Sequence, residues 1–485
     1  MFENMEPDMH HTNPTTASAA AGLDARRWWI LAVLAITQLM LIVDVTVTNV
    51  ALPSIAAELG LDRSSLTWVA TAYTLLFGSL LLLGGRLADA FGRRRTFLVG
   101  LTTFVAASLA SGLAPDGLTL VVARAAQGVG AALMSPAALS IITTTFAGAE
   151  RNRALGIWAA VGGSGAAIGV VLGGLLVSGP GWEWVFFINV PIGLAVLVAV
   201  GRTVRADPRR EGPIAIDVPG AILATTAIAL LLYGLISAGD GGWTSAATLG
   251  PIALGLLAGA AFWWLQARSA EPLVRPALLG RTLIGGPLVV MIAAAGMLAS
   301  SFFLVSIYLQ RIAGLSAFET GLAFLPGAAA IVLTAQAGAH AMGRFGARPV
   351  AAAGLLVAAA GAITLTGLPA QPDVALDVLP GMILLSAGIG PAFVAATTGA
   401  FARVGHHDAG TTSGLVNTGH ELGFSLGVAL VSAIAGASLG GDPSLVGGFG
   451  SAFLATAAIG GLAAAGSMIL LPEGRPAIEG HAFAH

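Results

Sequence analysis

The feature that most constrains this chain is a succession of apolar runs, each of about twenty residues, the length of helix that crosses a bilayer. We place fourteen such runs at residues 29–50, 64–84, 97–114, 118–142, 154–177, 185–203, 217–237, 246–265, 282–308, 318–338, 348–368, 378–400, 410–437 and 448–471. With 56% hydrophobic and 9% charged residues, the 485-residue chain is too apolar for a soluble protein of its size. The sequence therefore predicts an all-α polytopic membrane protein with fourteen transmembrane helices.

The arginines test this count independently, because cytoplasmic loops carry an excess of basic residues. All 22 basic residues are arginines. The loops on one side of the predicted membrane hold only Arg63 and Arg311, and Arg124 alone lies within a span. All the others fall in the two tails or in the loops on the other side. The sequence thus predicts a multi-pass protein of the cytoplasmic (inner) membrane with both termini in the cytoplasm.

Composition excludes several classes of function. A net charge of −2 leaves no surplus of cations for a nucleic-acid partner. The absence of cysteine excludes thiolate catalysis, disulfides and cysteine-ligated metals. The absence of lysine excludes a Walker A phosphate loop and a Schiff-base lysine, so this chain does not hydrolyse ATP as such pumps do. We expect no metal, no organic cofactor and no enzymatic activity.

Two groups of residues recur along the chain at unchanged mutual spacing. Around the loop after the second span, Gly84, Phe91, Gly92 and Arg94 recur as Gly338, Phe345, Gly346 and Arg348. Within the fifth span, Gly156, Gly165 and Gly169 recur in the thirteenth as Gly414, Gly423 and Gly427. Two related six-helix halves are typical of a secondary transporter, whose substrate site lies at mid-depth between the halves.

This repeat predicts the domain organisation. We expect a disordered cytoplasmic tail, an N-terminal six-helix bundle, a linker with two extra transmembrane helices, a C-terminal six-helix bundle and a second cytoplasmic tail. Their predicted bounds are 1–27, 28–205, 206–279, 280–472 and 473–485.

Three motifs carry a resemblance to a known family. They are a charged loop, Gly85-x-Leu-Ala-Asp89-x-x-Gly92-Arg93-Arg94-Arg95, a segment of the fourth span, Arg124-x-x-Gln127-Gly128-x-Gly130, and the fifth-span glycines Gly156, Gly165, Gly169, Gly173 and Gly174. The charged loop resembles the loop signature of the major facilitator superfamily. The fourth-span segment resembles its fourth-helix signature, and the fifth-span glycines resemble its antiporter signature. Ala90 departs from the loop signature, where an arginine is common. Val170 departs from the antiporter signature, where a proline usually follows the third glycine.

Two further stretches narrow the resemblance. They run from Asp44 to Pro53 in the first span and from Trp182 to Gly193 before and into the sixth, and they resemble the fourteen-helix drug:proton antiporters. The likeness covers residues 28–471. It implies efflux of amphipathic drugs or antibiotics by alternating access, with protons as the coupling ion. From their own chemistry, we assign Gly85, Asp89 and Gly92, with Arg93, Arg94 and Arg95, to a conformational hinge loop; the alternative for the arginines is a positive-inside anchor.

Asp44 is the candidate proton carrier. A carboxylate within a span is costly unless it faces a cavity or a partner, and low dielectric favours its protonated form. Thr37 and Thr48 share its helical face and are assigned to the substrate cavity. Arg124, with Gln127 on the same face of the fourth span, is the natural opposite charge. We expect protonation of Asp44 to release Arg124; the alternative is an acid near the helix end that loop backbone satisfies.

A second polar stripe lies on the thirteenth span. Asn417, His420, Glu421 and Phe424 fall at helical spacing on one face, which lipid would not tolerate, so we assign them to the cavity. Three roles are open to His420 and Glu421: binding a cationic substrate, carrying a second proton, or hydrogen bonding between helices.

The glycines of the fifth span, Gly156 to Gly174, form a small-residue face. Two roles are equally open to this face: a dry seam between the halves, or ordinary close helix packing.

These observations favour a transporter whose partners are an amphipathic small molecule, protons and the lipid bilayer. One alternative is a dedicated exporter of a single endogenous metabolite, and a more remote one is a membrane receptor or lipid-modifying enzyme that moves no solute. The substrate, the oligomeric state and any adaptor protein are not readable from the sequence.

Overall fold

The computed structural model describes residues 14–146, 148–205, 207, 217–270, 272–279, 284–402, 409–440 and 446–471. The predicted carboxyl tail, the first thirteen residues of the predicted amino tail and most of the predicted linker after residue 207 lie outside these ranges.

The described residues form helices joined by short turns, with no strand among them. The helices are α1 (Pro14–Leu59), α2 (Arg63–Phe91), α3 (Arg93–Gly112), α4 (Gly117–Thr145), α5 (Gly148–Ser178), α6 (Trp184–Phe187), α7 (Asn189–Thr203), α8 (Val218–Gly241), α9 (Ala246–Arg268), α10 (Gly286–Arg311), α11 (Ala317–Phe345), α12 (Ala347–Thr364), α13 (Leu379–Phe401), α14 (Ala409–Ala435) and α15 (Gly447–Leu470).

The prediction of an all-helical membrane protein is confirmed. Within the described ranges, thirteen helical segments are long and apolar enough to cross a membrane, with α6 and α7 together forming the sixth predicted span. A further apolar stretch, Ile168–Ser178, belongs to α5, which is 31 residues long. The two extra helices of the prediction are α8 and α9.

Local sequence explains where several helices begin and end. The side chains of Asp62 and Asp116 cap α2 and α4 by accepting hydrogen bonds from the backbone N–H of Ser65 and Thr119, both at 2.8 Å. These bonds lower the pKa of both carboxyl groups below the ordinary value. Gly92 separates α2 from α3 at φ +93°, which a residue with a side chain adopts only with strain.

The repeated loop has a repeated geometry, since Gly346 separates α11 from α12 at φ +83°. One boundary differs from its prediction. The predicted disordered tail reaches residue 27, whereas α1 begins at Pro14. The alanines that follow Pro14 are strong helix formers, so they extend the first transmembrane helix beyond its apolar run.

The helices pack as the internal repeat suggests. Helix α5 packs against α1 and helix α14 against α10, while α2 packs against α4 and α11 against α13. Contacts between the first and second sets of helices run mainly through two pairs, α2 with α14 and α5 with α11, and α1 also touches α10 and α11. Each pair joins the second helix of one predicted half to the fifth helix of the other. The division of the chain at residues 205 and 280 itself stays a prediction.

The extra helices cover one of these pairs. Helix α8 contacts both α2 and α14, and the Thr225 hydroxyl donates a hydrogen bond to Ser79 Oγ of α2 at 3.1 Å. Helix α9 packs on α8 and buries little of its own surface. The described residues therefore place α8 between α9 and the seam formed by α2 and α14.

Candidate functional site

Asp44 and Arg124 form an ion pair in the interior of the N-terminal helices. Arg124 Nη1 of α4 donates a hydrogen bond to Asp44 Oδ2 of α1. Both residues are 1% exposed, so neither charge is solvated by bulk water. A buried charge is tolerated when it is paired and fully hydrogen-bonded. The coupling partner expected for Asp44 therefore lies against it in the structure.

Amide side chains complete the surroundings of this pair. Gln127 Nε2 and Asn189 Nδ2 donate to Asp44 Oδ1 at 3.1 and 2.8 Å. Gln127 Oε1 accepts from Arg124 Nη1 at 2.9 Å. The hydroxyl of Ser108 on α3 accepts from both amides, at 2.8 Å from Gln127 and 3.4 Å from Asn189. Helices α1, α3, α4 and α7 thus meet in one buried polar network.

Aromatic rings flank the Arg124 guanidinium. The centroid of the Tyr73 ring of α2 lies 4.6 Å from Arg124 Cζ, and that of Phe186 lies 5.7 Å away. Both distances suit cation–π attraction. The rings cover one side of the charged pair with apolar surface.

A cavity of about 910 Å³ lies beside this network, between the two sets of helices. From α1 it is lined by Gln38, Leu41, Ile42, Val45, Thr46 and Asn49; from α14 it is lined by Thr411, Ser413, Gly414, Val416, Asn417, His420, Glu421 and Phe424. It extends to Asp89 of α2 and Phe401 of α13, both exposed, at the end of the bundle where α1 begins. We call this the arginine-rich end.

Hydrogen bonds between the halves close the opposite end, where α1 finishes and α2 begins. Ser306 Oγ and Gln310 Nε2 of α10 donate to the carbonyls of Asn49 and Val50, at 2.9 and 3.0 Å. The backbone N–H of Phe318 in α11 donates to Ser178 Oγ of α5 at 3.1 Å. The structure is therefore open at the arginine-rich end and closed at the other.

Three residues assigned to the cavity do not line it. Thr37, Thr48 and Gln127 are 1%, 2% and 0% exposed. Thr37 and Thr48 do share the face of Asp44, but that face of α1 turns toward the buried network. Their hydroxyls donate to backbone carbonyls one turn earlier, at 3.1 and 2.6 Å, which is the usual way such side chains are satisfied in a helix. Gln127 serves the ion pair instead.

The predicted stripe on α14 faces the cavity, with Asn417, His420, Glu421 and Phe424 all in its wall. His420 Nδ1 lies 3.2 Å from Glu421 Oε1. The ring centroids of Phe393 and Phe424 lie 5.4 and 4.9 Å from that of His420. An acid, an imidazole and two aromatic rings therefore share one wall of the cavity.

Glu421 sits close to the other half of the molecule. A Cβ added to Gly78 of α2 would lie 2.7 Å from Glu421 Cβ, so only glycine permits this approach. Further along the same seam, the hydroxyls of Thr74 and Ser425 lie 2.6 Å apart. The acid on the cavity wall is thus held at the contact between α2 and α14.

The predicted hinge loop lies at the arginine-rich end. Gly85 and Asp89 line the cavity mouth. The Arg94 guanidinium donates to the carbonyl of Gly201 at 2.5 Å and its backbone N–H to Asp207 Oδ2 at 3.1 Å. Gly92 takes the left-handed conformation described above, Arg93 is half-buried and Arg95 is exposed. The loop is thereby tied to the end of α7.

The α5 glycines face two different helices. Cβ atoms added to Gly165 and Gly169 would come within 2.9 Å of Ile42 and Thr46 side-chain atoms, and one added to Gly173 within 3.0 Å of Val47 Cα, all on α1. One added to Gly174 would lie 2.7 Å from Phe318 Cα of α11, across the contact between the halves. Gly156 lies in α5, but its surroundings are outside the described part of the structure.

Sequence reasoning missed several members of the buried network. Asn189 lies in a stretch that carried the family resemblance but had no assigned role. Ser108 and Tyr73 had no distinguishing pattern. In the sequence, a single hydroxyl residue in an apolar helix is surrounded by the same residue types whether it faces lipid or a charge. Which polar residues meet between helices is visible only in the three-dimensional packing.

Comparisons with known proteins agree with this geometry. Residues 34–428 match the model of the Major Facilitator Superfamily. The chain is 40% identical to puromycin resistance protein pur8 of Streptomyces alboniger over 425 residues, covering 87% of this chain and 84% of that protein. It is 40% identical to cephamycin export protein CmcT of Amycolatopsis lactamdurans over 433 residues, 88% of this chain and 89% of that one.

Among solved structures, an auto-inhibited peptide transporter of the POT family superposes with a TM-score of 0.66 at 16% identity, covering 92% of this chain and 96% of its own. At that identity the likeness concerns the fold.

Proposed function

Because the chain belongs to the Major Facilitator Superfamily, we propose that it exports amphipathic small molecules across the cytoplasmic membrane in exchange for protons. Both termini lie in the cytoplasm in this proposal, so the cavity of the present structure opens inward. Substrate enters from the cytoplasm or the inner leaflet, the halves rock about it, and the opposite end opens. Protons are the coupling ion and no organic cofactor takes part.

The observation that carries the proposal is the position of Asp44. The cavity-lining residues of α1, Ile42, Val45 and Thr46, flank Asp44 in sequence, while its own side chain turns to Arg124 behind them. One helix therefore has a substrate face and a charge-bearing face. Protonation of Asp44 removes the charge that holds Arg124, so α1 and α4 can shift relative to one another and change the cavity wall.

The chemistry of the cavity supports a cationic substrate. Glu421 lies in its wall next to His420, with its side chain 14% exposed. The charges Arg86, Asp89 and Arg275 lie toward its mouth. The inner part of the cavity thus presents one acid among apolar and aromatic side chains, which suits an apolar molecule with a positive group.

The test is a proton-flux assay with purified protein in liposomes, using ethidium as a fluorescent cationic amphipath. A pH gradient should drive ethidium accumulation, and each addition of ethidium should move protons. Asp44→Asn should abolish gradient-driven accumulation. Asp116→Asn is the matched control, since Asp116 is an exposed helix cap and asparagine caps equally well. If Asp44→Asn accumulated ethidium against the gradient as well as the unaltered protein, the proposed coupling would be wrong.

A second candidate is a dedicated exporter of one endogenous metabolite. The relatives named above are each called after a single antibiotic, puromycin and cephamycin, which favours a narrow range. A panel of unrelated amphipaths in the same assay separates the two: a broad exporter moves many of them and a dedicated one moves few. Movement of no solute, with turnover of lipid, would instead favour a membrane enzyme.

A further inference from the structure

Tyr73 has an unusual environment for a buried tyrosine. Its side chain lies in the core of the N-terminal helices, 0% exposed, with its ring facing the Arg124 guanidinium. Its hydroxyl has no hydrogen-bond partner in the described part of the chain. Buried hydroxyls are nearly always hydrogen-bonded, so an orphan of this kind calls for an explanation.

A second orphan lies at the same place. Arg124 Nε is also buried without a partner among the described residues, while Nη1 serves both Asp44 and Gln127. Arginine carries five N–H donors and a tyrosine hydroxyl can accept. The unused donor and the unused acceptor belong to side chains already in contact.

Resting on the proton coupling proposed above, we propose that Tyr73 is the alternative partner of Arg124 when Asp44 is protonated. Once Asp44 is neutral, the guanidinium turns to the Tyr73 hydroxyl oxygen, and the hydroxyl keeps its own proton. Tyr73 is a positioning residue in this scheme, because it acts through Arg124 and touches no substrate.

The surroundings of Tyr73 link this exchange to the cavity. The charged groups that act on it are Asp44 from α1, Arg124 from α4 and Glu421 from α14. Phe77, one turn further along α2, lines the cavity, and its ring centroid lies 5.7 Å from that of Tyr73. A movement of Tyr73 is thus passed to the substrate wall through its neighbour.

The scheme fixes the direction of a pH effect. A hydroxyl that receives the released guanidinium stabilises the protonated state of Asp44. Removing it makes proton uptake harder, so half-maximal transport moves to lower pH. The loss of one hydrogen bond to a charged group corresponds to a shift of about one pH unit.

The experiment compares Tyr73→Phe with Tyr308→Phe in liposomes. Tyr308 is the matched control because it is also buried, but its hydroxyl donates to the Pro369 carbonyl at 2.6 Å. Tyr73→Phe keeps the ring and removes only the hydroxyl, so the variant isolates the hydrogen bond that the released guanidinium would make. The pH midpoint of gradient-driven transport should move about one unit to the acid side, and the Tyr308→Phe midpoint should stay in place.

Two outcomes overturn the inference in different ways. A Tyr73→Phe profile that superimposes on the unaltered one rejects the role of the hydroxyl while leaving proton coupling intact. An unaltered protein whose ethidium transport ignores the pH gradient rejects the proposed function, and the inference with it.

A spectroscopic test does not depend on the folding of Tyr73→Phe. The chain has three tyrosines, so the double variant Tyr233→Phe/Tyr308→Phe leaves Tyr73 alone. Its ultraviolet resonance Raman bands should change from an unbonded to a hydrogen-bonded hydroxyl across the pH midpoint of transport. Adding Asp44→Asn should abolish that pH dependence. Bands that do not change across the midpoint would overturn the inference.

Discussion

The Asp44 carboxylate accepts hydrogen bonds from two other helices, through Arg124 and Gln127 of α4 and Asn189 of α7. These three donors occupy most of the acceptor sites of an ionised carboxylate. The cost of burying the charge is offset only while the whole set stays in place. A change of protonation at this one residue therefore bears on the packing of three helices.

Glu421 differs from Asp44 because its side chain is 14% exposed and lies in the cavity wall. No cation among the described residues pairs with it except His420, whose charge depends on protonation. An acid in a cavity with an adjustable partner is suited to meet a positive group on the substrate. Sequence reasoning left three roles open for this pair, and the cavity geometry favours the first.

We expect Glu421→Gln to weaken transport of ethidium by roughly tenfold, since a charge-assisted contact becomes a neutral one. Transport of neutral chloramphenicol should change much less. Both are measured as uptake rates at several concentrations in liposomes. Glu319→Gln is the matched control: Glu319 is exposed in the capping box of α11, where glutamine also serves. Equal loss for both compounds would contradict recognition of the positive charge.

At single residues, the sequence predicted contacts where a charged side chain lies within an apolar span. Asp44 and Arg124 could be paired because a charge within an apolar span demands a partner. Thr37 and Thr48 were placed on the correct face, but the helical period does not say which neighbour that face meets. Hydroxyls that bond their own helix need no cavity at all.

At the scale of helices, the close approach of α5 to α1 depends on glycine. Gly165, Gly169 and Gly173 pack on α1, which is close helix packing, whereas Gly174 lies against α11 of the other half. A dry seam between the halves stays a prediction. Small residues at such contacts let backbones approach, and dispersion then supplies the attraction that membrane helices otherwise lack.

Gly173→Ala should destabilise the protein by about 1–3 kcal/mol, the usual cost of overpacking, because its new methyl would press on the Val47 backbone. Gly461→Ala in α15 is the matched control, since nothing lies within 4 Å of its added Cβ. That change should be neutral or stabilising through helix propensity. Thermal unfolding of both variants in detergent compares them, and equal stability would contradict the packing role.

The helix pattern was predictable because each span is long and uniformly apolar, and the arginines fixed their alternation. The start of α1 was not predictable in this way. The residues before residue 28 are too polar to belong to an apolar run, but their alanines continue the helix back to Pro14. The place of α8 and α9 was also beyond sequence, because α8 carries a charge, Asp240, but nothing in its spacing identifies Arg63 of α2 as the partner. The packing of α8 on α2 and α14, and of α9 on α8, became visible only in three dimensions.

For the whole molecule, the closed end depends on a few contacts between the halves. Arg63 of α2 joins three elements there: it pairs with Asp240 of α8 at 2.8 Å and donates to Ser432 of α14 at 3.1 Å. Hydrogen bonds at Asn49 and Val50 add to this closure. An alternating-access cycle must break these contacts together to open this end, so their number sets the balance between the two states.

Gly174 lies at the backbone contact between α5 and α11, and an added Cβ would meet Phe318 Cα at 2.7 Å. Backbone does not yield as a side chain does, so Gly174→Ala should push these helices apart and favour opening at this end. Since the chain has no cysteine, a single Leu298→Cys reports on the cavity, whose wall includes Leu298. An impermeant maleimide added at the closed end should label the Leu298→Cys variant severalfold faster when Gly174→Ala is also present. Adding Gly461→Ala to Leu298→Cys instead should leave the labelling rate unchanged. Unaltered labelling would mean that this contact does not hold the halves together.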